Sequence, residues 1–123
     1  MKETKYVKMA ITDGICYFTY KQLDKVDVED AKLIVEDRLD YASGATYPYL
    51  FDIREVKNFD KGARDYMADK GNDLVSASAI LVDSFVMKTI ANFFITVNRP
   101  KKPTRLFTDY RKALEWLDEY KSQ

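Results

Sequence analysis

The chain begins with alternation. In YVKMAIT, Val7, Met9 and Ile11 recur at every second position, the period of a strand with one covered face. ICYFTY follows after Asp13-Gly14, a pair suited to a type I′ turn because both central residues need positive φ. Residues 5 to 21 therefore read as a β-hairpin. The period then lengthens. After Asp27, whose carboxylate can cap a helix, Val28, Ala31, Val35, Leu39 and Ala42 fall on one stripe, and Gly44 supplies a C′ stop. TYPYLFDI reads as the next strand, with Pro48 at its start, where a missing N–H is tolerated. A second helix spans about Lys61 to Lys70 and stops at Gly71. ASAILV is a continuous apolar run, as in a strand covered on both faces. The third helix, SFVMKTIANFFITVN, begins at Asp83 or Ser84. After the linker RPKKP come a short strand, TRLF, and a last helix, DYRKALEWLDEY. That helix is capped by Thr108 or Asp109 and turns Ala113, Leu114, Trp116 and Leu117 inward.

The order is ββαβαβαβα. Strand–helix–strand units demand parallel pairing with right-handed crossovers. The expectation is an α/β fold with a mixed five-stranded sheet: four parallel strands, one antiparallel edge strand and four helices, all in a single domain over residues 1–123. The sequence carries no repeat, low-complexity tract or inter-domain linker.

Composition narrows the chemistry. Twenty basic and twenty acidic side chains cancel, which argues against a nucleic-acid partner. Histidine is absent, so His-based triads, His metal ligands and a histidine base are excluded. The single cysteine, Cys16, lies in a strand and fits a reducing compartment. Neither metal nor cofactor is expected. MKETKYVKMA lacks the apolar core of a signal peptide, and the apolar segment near residues 85 to 97 is broken by Lys88 and Asn92. The expectation is a cytoplasmic protein without a transmembrane segment.

Several local sequences carry a resemblance across nearly the whole chain. Arg64 and Ala68 precede the mid-chain apolar strand, ANFF spans Ala91 to Phe94, and LFTDYRKALEWL spans Leu106 to Leu117. With the element order, these resemble the STAS and SpoIIAA-like domains, the group of anti-sigma-factor antagonists and related bacterial proteins. The order is also similar to the CRAL-TRIO- or SEC14-like fold of lipid carriers. The resemblance implies a non-enzymatic interaction domain, with a carrier or sensor of an apolar, lipid-like molecule as the alternative. In the antagonists, a strand ending in Asp leads to an Asp-Ser-(Ser/Thr)-Gly turn whose hydroxyl is phosphorylated to break partner binding. Here LFDIREVKNFDKGARDYM keeps the Asp and the Gly, but the turn is one residue shorter and Lys61 replaces the hydroxyl. The resemblance therefore implies a scaffold without the phospho-switch.

Three sets of side chains are candidate sites. Asp52, Asp83 and Asp109 stand at or just past strand C-termini, where open α/β sheets place ligands; they read as metal or acid–base carboxylates, or as caps and loop acceptors. Asp60, Lys61, Gly62 and Arg64 at a helix start read as an anion or partner site, or as solvated charges. The third helix leaves only Lys88, Asn92 and Thr96 as a polar stripe, so its apolar surface exceeds what one core contact needs. Phe85, Met87, Ile90, Phe93 and Phe94 are thus expected at an apolar interface or ligand face, most simply in a homodimer.

Overall fold

In the computed structural model, which describes residues 1–121, Asp13 and Gly14 hold φ values of 52° and 78°. This turn pairs β2 (Val7–Thr12) with β3 (Ile15–Tyr20) in antiparallel register, Val7 opposite Tyr20 and Thr12 opposite Ile15. β3, β4 (Tyr47–Asp52), β5 (Val75–Leu81) and β6 (Thr104–Phe107) then lie side by side in chain order, all parallel. The hairpin and the four parallel strands stand as expected. Among the described residues, however, the sheet has six strands where five were expected. The addition is β1 (Lys2–Glu3), which pairs antiparallel with β2 and makes β2 an inner strand. The Thr4 hydroxyl oxygen accepts from the N–H groups of Tyr6 and Val7 at 3.1 and 3.2 Å, folding the chain start back along β2. Two residues are too few to register as a period.

The helices follow their capping chemistry. α1 (Val28–Ala42) opens with a capping box: Asp27 accepts from Asp30 N–H at 2.8 Å, and Asp30 accepts from Asp27 N–H at 3.1 Å. It ends at Ser43 and Gly44, both left-handed. α2 (Lys61–Asp69) is capped by Asp60 and runs into a 3₁₀ turn, Lys70–Asn72. α3 (Phe85–Phe93) is capped by Ser84, not by Asp83, and continues as a π-helical segment, Phe94–Asn98. α4 (Tyr110–Asp118) is capped by Asp109. Pro48, which cannot donate to the ladder, sits where the β4–β5 register shifts.

The sheet is covered unequally. Phe18, Tyr49, Ile80 and Val82 face a main core completed by Ala31 and Ile34 of α1, Ala63 of α2, and Met87 and Ala91 of α3. Alternate positions on the same strands, Ile15, Leu50, Ala77, Ala79 and Leu81, face a smaller core closed by Ala113 and Leu117 of α4. Of the inward residues expected on α4, Ala113 and Leu117 are buried, whereas Leu114 and Trp116 are half-buried at the rim. The Trp116 ring leans on Phe107 and Tyr120 at 5.7 and 5.0 Å between centroids. Burial therefore ranks Leu117 above Trp116. Leu117→Ala should cost about 2–5 kcal/mol in urea unfolding, and Trp116→Ala less than the roughly 3–5 kcal/mol of a fully buried Trp. A larger loss for Trp116→Ala than for Leu117→Ala would contradict this ranking.

Candidate functional site: a cavity under the third helix

The buried stripe of α1 is Ala31, Ile34, Val35, Arg38 and Ala42. Arginine thus takes a core position, and only 2% of it is exposed. Its Nη2 donates to the carbonyls of Gly71 and Asp73 at 3.2 and 2.8 Å, tying α1 to the 3₁₀ turn after α2. The guanidinium carbon lies 4.9 Å from the centre of the Tyr49 ring, a cation–π contact. Nη1 is buried and has no hydrogen-bond partner, and among the described residues no carboxylate lies within ion-pair distance. A charge taken out of water costs several kcal/mol unless an opposite charge and hydrogen bonds compensate. Here two carbonyls and a ring face supply part of that compensation.

Arg38 lines a cavity of about 90 Å³ between the sheet and the three helices α1, α2 and α3. Its walls are largely apolar: Phe18, Tyr20 and Ile80 from the sheet, Ile34 and Val35 from α1, and Ile90, Ala91 and Phe94 from α3 and its extension. Polar groups also reach it. Asn72 donates to the carbonyls of Met67 and Ala68 at 3.0 and 3.2 Å and accepts from Lys102 N–H at 3.0 Å, so its amide is spent on framework. Arg64 donates from Nη1 to the Phe59 carbonyl at 2.6 Å and lies over the Phe93 ring at 5.2 Å. Its Nε is buried without a partner. None of the lining residues is an acid or a lysine.

The neighbouring titratable groups are held neutral. Burial pushes the Cys16 thiol from 9.0 up to about 12, with Arg38 pulling weakly the other way. Burial likewise raises the phenols of Tyr20 and Tyr49, again partly offset by Arg38.

A family model described as a domain of unknown function (DUF7793) matches residues 9–121. The chain belongs to the DUF7793 family. No curated protein matches it. A crystal structure of an uncharacterised DUF3478-family protein with a SpoIIAA-like fold, from Shewanella loihica PV-4, is similar at TM-score 0.63. The identity is 17%, over 95% of this chain and 98% of that one. A protein of unknown function from Arthrobacter sp. FB24 is 23% identical over 95% of this chain and 96% of its own, at TM-score 0.36. The Shewanella likeness speaks for fold, and the DUF7793 chain has the SpoIIAA-like fold that its sequence resembles.

The residues singled out in the DUF7793 sequence are brought together only in part. At the start of α2, Asp60 accepts from Ala63 N–H at 2.9 Å, and Lys61 pairs with Asp65 at 2.8 Å in solvent. A Cβ on Gly62 would stand 3.2 Å from Val28 Cβ, so glycine there permits the close approach of α1 and α2. Arg64 turns away from Lys61 toward the cavity. The strand-end carboxylates are engaged in different ways, although Asp52 and Asp83 both act on Arg54. Asp52 accepts from Arg54 Nε and Nη2 at 3.0 and 2.7 Å, Asp109 caps α4, and Asp83 is exposed. On α3, the expected apolar face divides in two. Met87 is buried in the main core, Ile90 and Phe94 line the cavity, and Phe85 and Phe93 face outward.

Arg38 was not singled out, although its signal is present: it continues the spacing Ala31, Val35, Arg38, Ala42 on a stripe where every other member is apolar. The surrounding EDRLD makes it read as a solvated charge. The neutral thiol beside it has a consequence. A folded-state value raised from 9.0 to about 12 means that the unfolded chain loses this proton first. Stability should therefore be intact below about pH 9 and fall as pH rises toward 12, with the raised Tyr20 phenol acting in the same direction. Native Cys16 should resist a thiol reagent at pH 8 and react once urea unfolds the chain. Rapid labelling of the native protein would show that the thiol is accessible.

Proposed function

We propose that this domain is a non-enzymatic binding module that takes a small, largely apolar molecule into the cavity beneath α3. The cavity itself carries this reading: about 90 Å³ of space walled by Phe, Ile and Ala side chains, yet reached by a buried cation. Binding sites for small molecules have this composition, an apolar wall with few fixed polar groups. The chemistry of the lining supports binding over catalysis. The nearby thiol and phenols are held protonated, and a guanidinium keeps its proton, so the wall offers no group poised to exchange one near neutrality. The start of α2 supports a module without the antagonists' phospho-switch, since residues 58 to 65 contain no hydroxyl. Native mass spectrometry of protein purified from its own cells should find a retained low-mass molecule. Ala91→Leu, which adds bulk from α3 into the space, should arrive bare and with an unfolding temperature no lower than that of the empty wild type. A bare wild type that no small organic probe shifts in NMR would remove the reading.

A second reading concerns the outside of the same helix. Phe85 and Val86 are 82% and 60% exposed, and Phe93 and Val97 continue the apolar surface along the helix. Val86, Phe93 and Val97 stand on one side by their spacing of seven and four. We infer a protein contact there, with a second copy of the chain as the simplest partner and the cytoplasm as its setting. Burying apolar area contributes roughly 25 cal/mol per Å² before association costs. Phe85→Glu should then shift a dimer toward monomer in light scattering across a concentration series. Met87 is unsuited to this test, because its side chain belongs to the core. A wild type that stays monomeric at high micromolar concentration would remove self-association.

A further inference from the structure

We propose that the occupant of this cavity is a small organic acid, its carboxylate set against the guanidinium of Arg38 and its apolar body against Ile80, Ile90 and Phe94. This rests on the binding role proposed above and gives it a ligand class.

Arg38 is 98% buried, taken from its 2% exposure, so its charge cannot be hydrated from the surface. Both of its framework hydrogen bonds leave from Nη2. Anchoring α1 to the turn at Gly71 and Asp73 therefore uses Nη2 alone and leaves the buried Nη1 without a hydrogen-bond partner. Asp73 contributes its backbone carbonyl to the contact, and its side chain is exposed. The protein thus supplies a cation at the cavity wall but no anion among the described residues. A planar guanidinium is matched by a planar carboxylate, which can accept from it in charge-assisted hydrogen bonds.

The remaining wall selects the body. Phe18, Ile34, Ile80, Ile90 and Phe94 around it favour a ligand with a hydrocarbon body over phosphate, which has no apolar part to set against them. A monocarboxylate on a hydrocarbon stem satisfies both parts of the wall. The size bounds the stem. A cavity of about 90 Å³ is smaller than the ~150 Å³ known to accommodate benzene, which suits an acid of roughly three to five carbons. Arg64, which lines the same cavity, adds a second positive group without adding an acid.

The test compares butyrate, isobutyrate and valerate with the alcohols of the same skeletons, by calorimetry and by amide shifts in NMR. The acids should bind the wild type at least about tenfold more tightly than the alcohols, as a hydrogen bond to a charged group implies. Arg38→Met should remove that preference; it relieves a buried charge but takes the donor from the Gly71 carbonyl, so its unfolding temperature is measured beside wild type. If Arg38→Met does not fold, the acid-to-alcohol ratio in wild type decides alone. Ala91→Leu should abolish binding of the acids, and binding that survives it would place them on the surface and overturn the inference. Acids and alcohols binding equally would overturn the carboxylate assignment and leave the apolar binding role standing. If neither class binds, the space holds ordered water only and both readings fall.

Discussion

A right-handed crossover between parallel strands sends its helix to one face of the sheet. Because β3, β4, β5 and β6 lie in chain order, α1, α2 and α3 are all sent to the same face. Only α4, which follows the last strand, is free to cover the other. That face is correspondingly thin, and Ala77 and Ala79 let α4 settle close through Ala113 and Leu117. The crowded face has the opposite problem. α1 and α2 pack against each other at Gly62 and Val28, and α3 must fill what remains beside the four-residue β6. It does so with only Met87 and Ala91 fully buried. The space left beneath it is the cavity, so the site is a consequence of topology before it is a matter of side chains.

Side chains then decide what kind of space it is. An apolar residue at position 38 would have spared α1 a buried charge, but it would have left the Gly71 and Asp73 carbonyls without this donor. Arginine instead reaches across to Gly71 and Asp73, and Asn72, between them, holds the end of α2 and the backbone of Lys102. The seam between the first two helices and the loop before β6 is therefore polar and directional, while the walls around it are apolar. Cys16, Tyr20 and Tyr49 stay neutral in that setting because ionising them would add a second buried charge of opposite sign at a larger desolvation cost. The guanidiniums remain the permanent charges of the cavity wall.

Local chemistry was legible in the sequence wherever one turn or cap sufficed. Asp13-Gly14 marks the hairpin, Asp27 starts α1, Asp109 starts α4, and the crossover rule orders the parallel strands. What escaped reading depends on contacts distant in sequence. β1 exists only because Lys2 and Glu3 meet Met9 and Lys8. The loops after β3 and β4 run side by side through Leu23–Val56 and Val26–Phe59 bridges, which no periodicity announces. Asp83 was as good a candidate cap as Ser84, and one residue of helix phase decided between them. Around α2, Asp60, Lys61, Gly62 and Arg64 look like one site in sequence because they are adjacent, but a helix turns neighbours about 100° apart. Lys61 consequently meets Asp65 in solvent while Arg64 meets the cavity. The excess of apolar residues on α3 was visible, but its division into an inner and an outer face was not, because that depends on where β6 and α2 stand.

This division also links the two proposed contacts. Ile90 and Phe94 bear on the cavity, and Phe85, Val86 and Phe93 lie outside, on a single helix that ends in a π-helical turn. Arg64 joins the sides: its guanidinium covers the Phe93 ring at 5.2 Å while the residue also lines the cavity. A helix with so few buried anchors is held less firmly than α1, and local stability follows the number of such anchors. An occupant beneath α3 would supply the missing contacts, and a partner above it would require the same helix to hold still. Linkage makes such an arrangement reciprocal: if filling the cavity strengthens the outer contact by some factor, docking at the outer face must tighten the cavity's hold by that same factor. If both proposed contacts form, a small molecule would act on a protein contact without a hydroxyl at the start of α2.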